Sequence, residues 1–141
     1  MTEGPADSGL DLGRQDRASS LAFGWAQRTF GNRTGRVGVP VLATGGFFAN
    51  LMDFAGTTIA MTSDGIGTKV ELAERTGVYD TLGFDLTAMV VDDLAAAGCE
   101  PANVTNILDV DTVDPSVVDD LMRGLHDAAA EARVAVVGGE I

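Results

Sequence analysis

The chain has 141 residues with a formal net charge of −12, and 45% of them are hydrophobic. This length suits one domain with its own core, and the composition is too apolar for a disordered segment. The acidic balance opposes binding to nucleic acid or anionic membranes, and no apolar run approaches the roughly 20 residues that span a bilayer.

Residues 1–13 hold Gly, Pro, Asp and Ser without periodicity and read as a flexible or loosely docked arm. They lack the basic start and apolar stretch of a signal peptide, so the expected location is the cytoplasm. Over residues 16–30, Leu21, Ala22, Trp25 and Phe30 recur at the spacing of an amphipathic helix, and turn residues at 31–35 end it. Residues 40–44 form a short apolar run that Gly45-Gly46 interrupts, and residues 47–54 fit a strand or a helix. Residues 57–63 are rich in β-formers and predict a strand ending at Asp64.

Residues 80–98 predict a helix that Gly98 caps. Residues 104–108 predict a strand that leads into an acidic loop over 109–114. Asp114-Pro115 opens the next helix, Asp as N-cap and Pro in the first turn, with Val117, Leu121, Leu125, Ala128 and Ala132 as its apolar stripe. Residues 134–137 predict a last strand, followed by Gly138-Gly139-Glu140. A strand running into Gly-Gly-Glu is expected to feed a working loop, which suggests the N-terminal piece of a longer protein.

Chemistry concentrates in Asp64-Gly65-Ile66-Gly67-Thr68-Lys69. A strand ends on a carboxylate, two glycines alternate, and Thr-Lys leads into a helix. Glycines let backbone N–H groups approach an anion closely, and a helix N-terminus adds partial positive charge. Lys69, the single lysine among nine basic residues, can meet a phosphate oxygen, Thr68 can donate to one, and Asp64 can hold Mg²⁺. The spacing is not that of a P-loop, and a tight Asp-Gly turn explains the same residues. Asp93 falls in the apolar stripe of its helix, beside Leu86, Val90 and Ala97. There a lone carboxylate would be costly, so it calls for a cation or a rotated helix.

Glu140 reads as a further ligand or as an exposed turn residue, and Asp109 is a weaker metal candidate. One cysteine and one histidine exclude an internal disulfide and a clustered zinc site, which leaves carboxylates and a hard cation. His126 reads as a surface residue, Cys99 as packing, and Trp25 and the phenylalanines as core.

Together these segments resemble the aminoimidazole ribonucleotide (AIR) synthetase family, whose superfamily includes formylglycinamidine ribonucleotide synthetase, selenophosphate synthetase and thiamine-monophosphate kinase. Ser8-Gly9-Leu10-Asp11-Leu12 is similar to the family's Ala-Gly-Val-Asp-Ile opening, and Gly45-Gly46-Phe47 to its Gly-Gly-Phe segment. Thr62-Ser63-Asp64-Gly65-Ile66-Gly67-Thr68-Lys69 looks like its Asp-Gly-Val-Gly-Thr-Lys signature. Residues 80–94 and Gly98-Cys99-Glu100-Pro101 follow in register, and Gly138-Gly139-Glu140 resembles its Gly-Gly-Glu-Thr motif. Departures are Ala6 where the family often has Lys, Asp92 where it usually has Asn, and a shorter loop after Asp109. The chain also stops before the family's second domain.

The resemblance implies an α+β fold, a mixed β-sheet layered with helices, over residues 14–141. It also implies pairing of that sheet with a twin in a homodimer. The reaction implied is ATP-dependent closure of formylglycinamidine ribonucleotide to 5-aminoimidazole ribonucleotide: the formamide oxygen is phosphorylated, then an amine of the same substrate attacks and phosphate leaves. In the roles implied, Asp64 and Asp93 hold Mg²⁺, Gly65, Gly67 and Thr68 hold phosphate, Lys69 offsets phosphate charge, and Glu140 adds a contact to ATP. Competing expectations are another superfamily phosphotransferase, such as a thiamine-monophosphate kinase, and a non-catalytic fragment that only dimerises or binds nucleotide.

Overall fold

A computed structural model describes residues 12–41 and 48–141. The element order is α1 (Leu12–Gln27), a 3-10 turn (Phe30–Arg33), β1 (Val39–Pro40), β2 (Asn50–Phe54), β3 (Thr57–Met61), α2 (Lys69–Thr76), α3 (Leu82–Ala96), β4 (Asn103–Ile107), α4 (Pro115–Ala132) and β5 (Ala135–Glu140). The arm over residues 1–13 lies outside the described residues except for its last two, which open α1. Gly45-Gly46-Phe47 also lies outside them.

The α+β class holds, with strands of both orientations divided between two sheets. One is antiparallel in the order β1-β2-β3, and the other pairs β4 with β5 in parallel. The ambiguous stretch before Phe54 is strand because Ala55 and Gly56, at φ 54° and 91°, close a two-residue hairpin onto β3. Positive φ at both positions is the turn whose twist suits a hairpin. The Asp53 carboxylate accepts the Gly56 N–H at 2.7 Å and tightens it.

The core lies where α3 and α4 cross beside the parallel sheet. Leu82 of α3, Val104 of β4, and Leu125, Ala128 and Ala129 of α4 are buried. The crossing is close because it is built on glycine. A Cβ on Gly83 would stand 2.1 Å from the Leu125 nitrogen, and one on Gly124 would stand 1.7 Å from the Asp80 carbonyl oxygen. Asp114 caps α4 as expected, its carboxylate accepting the Ser116 N–H at 2.8 Å. At the end of α3, Gly98 takes φ 72°, and the Cys99 N–H returns to the Leu94 carbonyl at 2.9 Å. That reverse bond with glycine in the left-handed region closes the helix.

Three expectations are corrected. Gly138-Gly139-Glu140 belongs to β5 rather than following it, because Thr105, Asn106 and Ile107 of β4 pair with these three residues. Gly139 is needed there, since a Cβ would stand 2.4 Å from the Asn106 carbonyl oxygen. The first helix starts at Leu12 rather than at residue 16 and stops at Gln27. Trp25 and most of the phenylalanines are not core: residues 13–27 are all exposed, Trp25 by 66%, and Phe23, Phe48, Phe54 and Phe84 are exposed as well. The stripe on α1 has the right period but finds no packing partner among the described elements beyond marginal contact. Trp25 instead carries the Arg28 guanidinium 4.2 Å from its ring centre.

Candidate phosphate and metal site

Residues 62–68 connect the end of β3 to the start of α2, so the expected strand, glycine loop and helix are all present. Gly67 takes φ 67°, which a side chain would strain, and Thr68 is the residue before the first helical turn. The Thr68 hydroxyl does not cap the helix. The N–H groups of Ile66, Gly67 and Thr68 donate to no acceptor among the described residues. Such N–H groups at a helix entrance are the usual donors to a bound anion.

Asp64 is exposed, and one of its oxygens accepts the Gly65 N–H at 2.7 Å. Asp93 is half-buried on α3. It sits on the shoulder of that helix rather than mid-stripe, because the buried face centres on Leu82, Gly83 and Thr87. Its partner is a neutral hydroxyl: Thr62 Oγ1 lies 2.9 Å from Asp93 Oδ2. The end of β3 thus carries Asp64 and, through Thr62, reaches Asp93. Lys69 is the first residue of α2, and its ammonium forms an ion pair with Asp85 of α3.

Glu140 is not brought to this segment. It ends β5, where its carbonyl accepts the Leu108 N–H at 2.9 Å, and it lines a separate hollow with Asn106, Leu108 and Ile141. A cleft of about 950 Å³ opens beside the loop. Leu86, Val90, Val104 and Leu121 form part of its wall, and Asp64, Asp109, Asp111 and Asp114 lie along it.

Among the described residues no three His, Cys, Asp or Glu side chains gather closely enough to enclose a metal by themselves. The donors present still fit Mg²⁺, because that ion is commonly held by one or two carboxylates, with phosphate oxygens and water completing the shell. Carboxylates are hard oxygen donors and match that chemistry rather than the thiolate and imidazole ligands that zinc favours.

Sequence reasoning missed two of these residues, Thr62 and Asp85. The one signal at Thr62 is its place two positions before Asp64, and its bond to Asp93, 31 positions away, is brought about only by the fold. Asp85 carried no such signal, because its pairing with Lys69 depends on how α2 meets α3. His126 is exposed as expected, with its ring nitrogen 2.8 Å from Asp127, and no helix among the described residues is long and apolar enough to cross a membrane.

A sequence model described as "AIR synthase related protein, N-terminal domain" matches residues 48–141. The chain is similar to a phosphoribosylformylglycinamidine cyclo-ligase of Thermococcus kodakarensis, 40% identical over 135 residues, covering 96% of this chain and 40% of that protein. Its likeness to the enzyme of that name from Pyrococcus furiosus is 36% identity over the same shares. With the Methanothermobacter thermautotrophicus protein it shares 42% identity over 100 residues, 71% of this chain and 30% of that one. The chain spans about two fifths of the length of the first two of these relatives. By the matched residues and these identities, the chain belongs to the AIR synthase related family, as its N-terminal domain.

Proposed function

We propose that this chain is the nucleotide- and magnesium-handling part of an ATP-dependent phosphoribosylformylglycinamidine cyclo-ligase. Such an enzyme closes formylglycinamidine ribonucleotide to 5-aminoimidazole ribonucleotide in purine biosynthesis, and a small-molecule step of that kind belongs in the cytoplasm. The observation that carries the reading is the junction of β3 and α2, with open N–H groups at 66–68, Lys69 on the first turn, and Asp64 and Asp93 reached from one segment.

In this reading, Gly65 and Gly67 keep the backbone bare so that the N–H groups of the loop reach phosphate oxygens. Thr68 donates its uncommitted hydroxyl to the same group. Lys69 exchanges its bond to Asp85 for one to phosphate, which suits a long, flexible ammonium that is half-exposed at its present site. Asp64 and Asp93 are the carboxylates for Mg²⁺, and Glu140 contacts the nucleotide only if the ligand extends to the end of β5. Bound Mg²⁺ would offset negative charge on the transferring phosphoryl group. The protein supplies position and charge, and no protein nucleophile is required.

A homodimer is part of the proposal. Ile107 and Val137, on adjoining strands of the parallel sheet, are 77% and 61% exposed, which is costly for a sheet left facing water. The test is ADP release from ATP, with and without formylglycinamidine ribonucleotide, by the product of the full reading frame that encodes this chain. Substrate-dependent ADP is expected. ADP release that ignores this substrate would sink the cyclo-ligase reading and return weight to a different phosphotransferase of the superfamily.

A further inference from the structure

We propose that Thr62 is a positioning residue: its hydroxyl holds the Asp93 carboxylate in the orientation needed to take a divalent cation. The inference rests on the reading of Asp93 as a metal carboxylate. Thr62 Oγ1 has two acceptors within reach, Asp93 Oδ2 at 2.9 Å and the Phe48 carbonyl oxygen at 3.2 Å. A hydroxyl carries one proton, so it donates to one of them at a time. The carboxylate is closer and charged, and charge-assisted bonds are the stronger kind, so the proton goes to Asp93.

That bond uses Oδ2 and leaves Oδ1 without a hydrogen-bond partner among the described residues, as a cation ligand would require. It ties the loop between β3 and α2 to α3, bridging 31 positions of sequence, and among the described residues no other side-chain bond from residues 62–68 reaches that helix. Two residues further on stands Asp64, the other carboxylate proposed for the metal. The separation between the two carboxylates is therefore set by a strand end that carries one and grips the other. A threonine placed there only for β-propensity would need its methyl and its backbone, and not the hydroxyl. Partners that orient a metal's ligands generally change affinity by about 10- to 100-fold when removed.

The experiment titrates Mn²⁺ into the chain with a non-hydrolysable ATP analogue and counts free ion by electron paramagnetic resonance. Thr62→Val, which keeps the shape and removes the donor, should weaken Mn²⁺ binding about 10- to 100-fold. Thr62→Ser should restore it, and Thr62→Val should have no further effect once Asp93→Asn is present. Should Thr62→Val not fold, Thr62→Cys, a weak donor of similar size, carries the same comparison. Wild-type affinity in Thr62→Val with a deficit in Asp93→Asn overturns the positioning role and leaves the metal reading intact. A deficit in Thr62→Ser equal to that of Thr62→Val shows that packing is responsible and also overturns it. Wild-type affinity in Asp93→Asn removes the metal reading and this inference together.

Discussion

Asp114 shows how much one side chain can decide locally. Its carboxylate accepts from the Ser116 hydroxyl at 2.7 Å and from the Ser116 N–H at 2.8 Å, and these bonds hold its pKa below the ordinary aspartate value. A depressed folded-state pKa adds stability that is present above the unfolded value, about 3.9, and lost as the pH falls through the folded one. Asp114→Ala is therefore expected to lower the melting temperature at pH 7. The loss should shrink as the pH is taken from 5 to below the ordinary aspartate range, where the wild type also loses the bond. Thermal unfolding followed by circular dichroism at several pH values checks this, and a loss of equal size at every pH would contradict it. This cap was legible in the sequence because Asp, Pro and an apolar stripe act within a few residues of one another. The Thr62–Asp93 and Lys69–Asp85 pairs were not, because each depends on where two distant elements come to rest.

At the scale of elements, the strand-loop-helix that carries Asp64 to Lys69 followed from local chemistry, and so did α3, β4 and α4. The periods of 2 and 3.6 were long enough there to be read. The assignment of Gly138-Gly139-Glu140 failed because glycine favours turns locally, while pairing with β4 overrode that preference. The helix crossing was illegible for the same reason, since no pattern along the chain says that Gly83 and Gly124 meet a neighbour's backbone. That crossing gives a sharp prediction. Gly83→Ala and Gly124→Ala each force a methyl into backbone atoms 2.1 and 1.7 Å away and should each destabilise the fold by about 2–3 kcal/mol. In urea unfolding the midpoint should fall with little change in slope. A stabilising effect, as expected for alanine in an open helix, would mean that the helices do not cross there.

Across the whole molecule, a net charge of −12 on 141 residues works against compactness through self-repulsion. Raising the salt from about 0.1 M to 1 M shortens the screening length from roughly 10 Å to 3 Å, so the melting temperature should rise. A fall would mean that attractive pairs such as Lys69–Asp85 and Arg123–Asp120 outweigh the repulsion. Trp25 and the phenylalanines were read from the sequence as core, yet Trp25 and most of the phenylalanines are exposed, because periodicity records that a face is apolar without recording what covers it. The central claim concerns the segment from Asp64 to Lys69, and calorimetric titration of ATP into this chain, with and without Mg²⁺, tests it most directly. Binding should require Mg²⁺ and should weaken about tenfold or more in both Asp64→Asn and Lys69→Met, the usual loss when a charged hydrogen-bond partner is removed. ATP affinity that is independent of Mg²⁺ and unchanged in both variants would contradict the account.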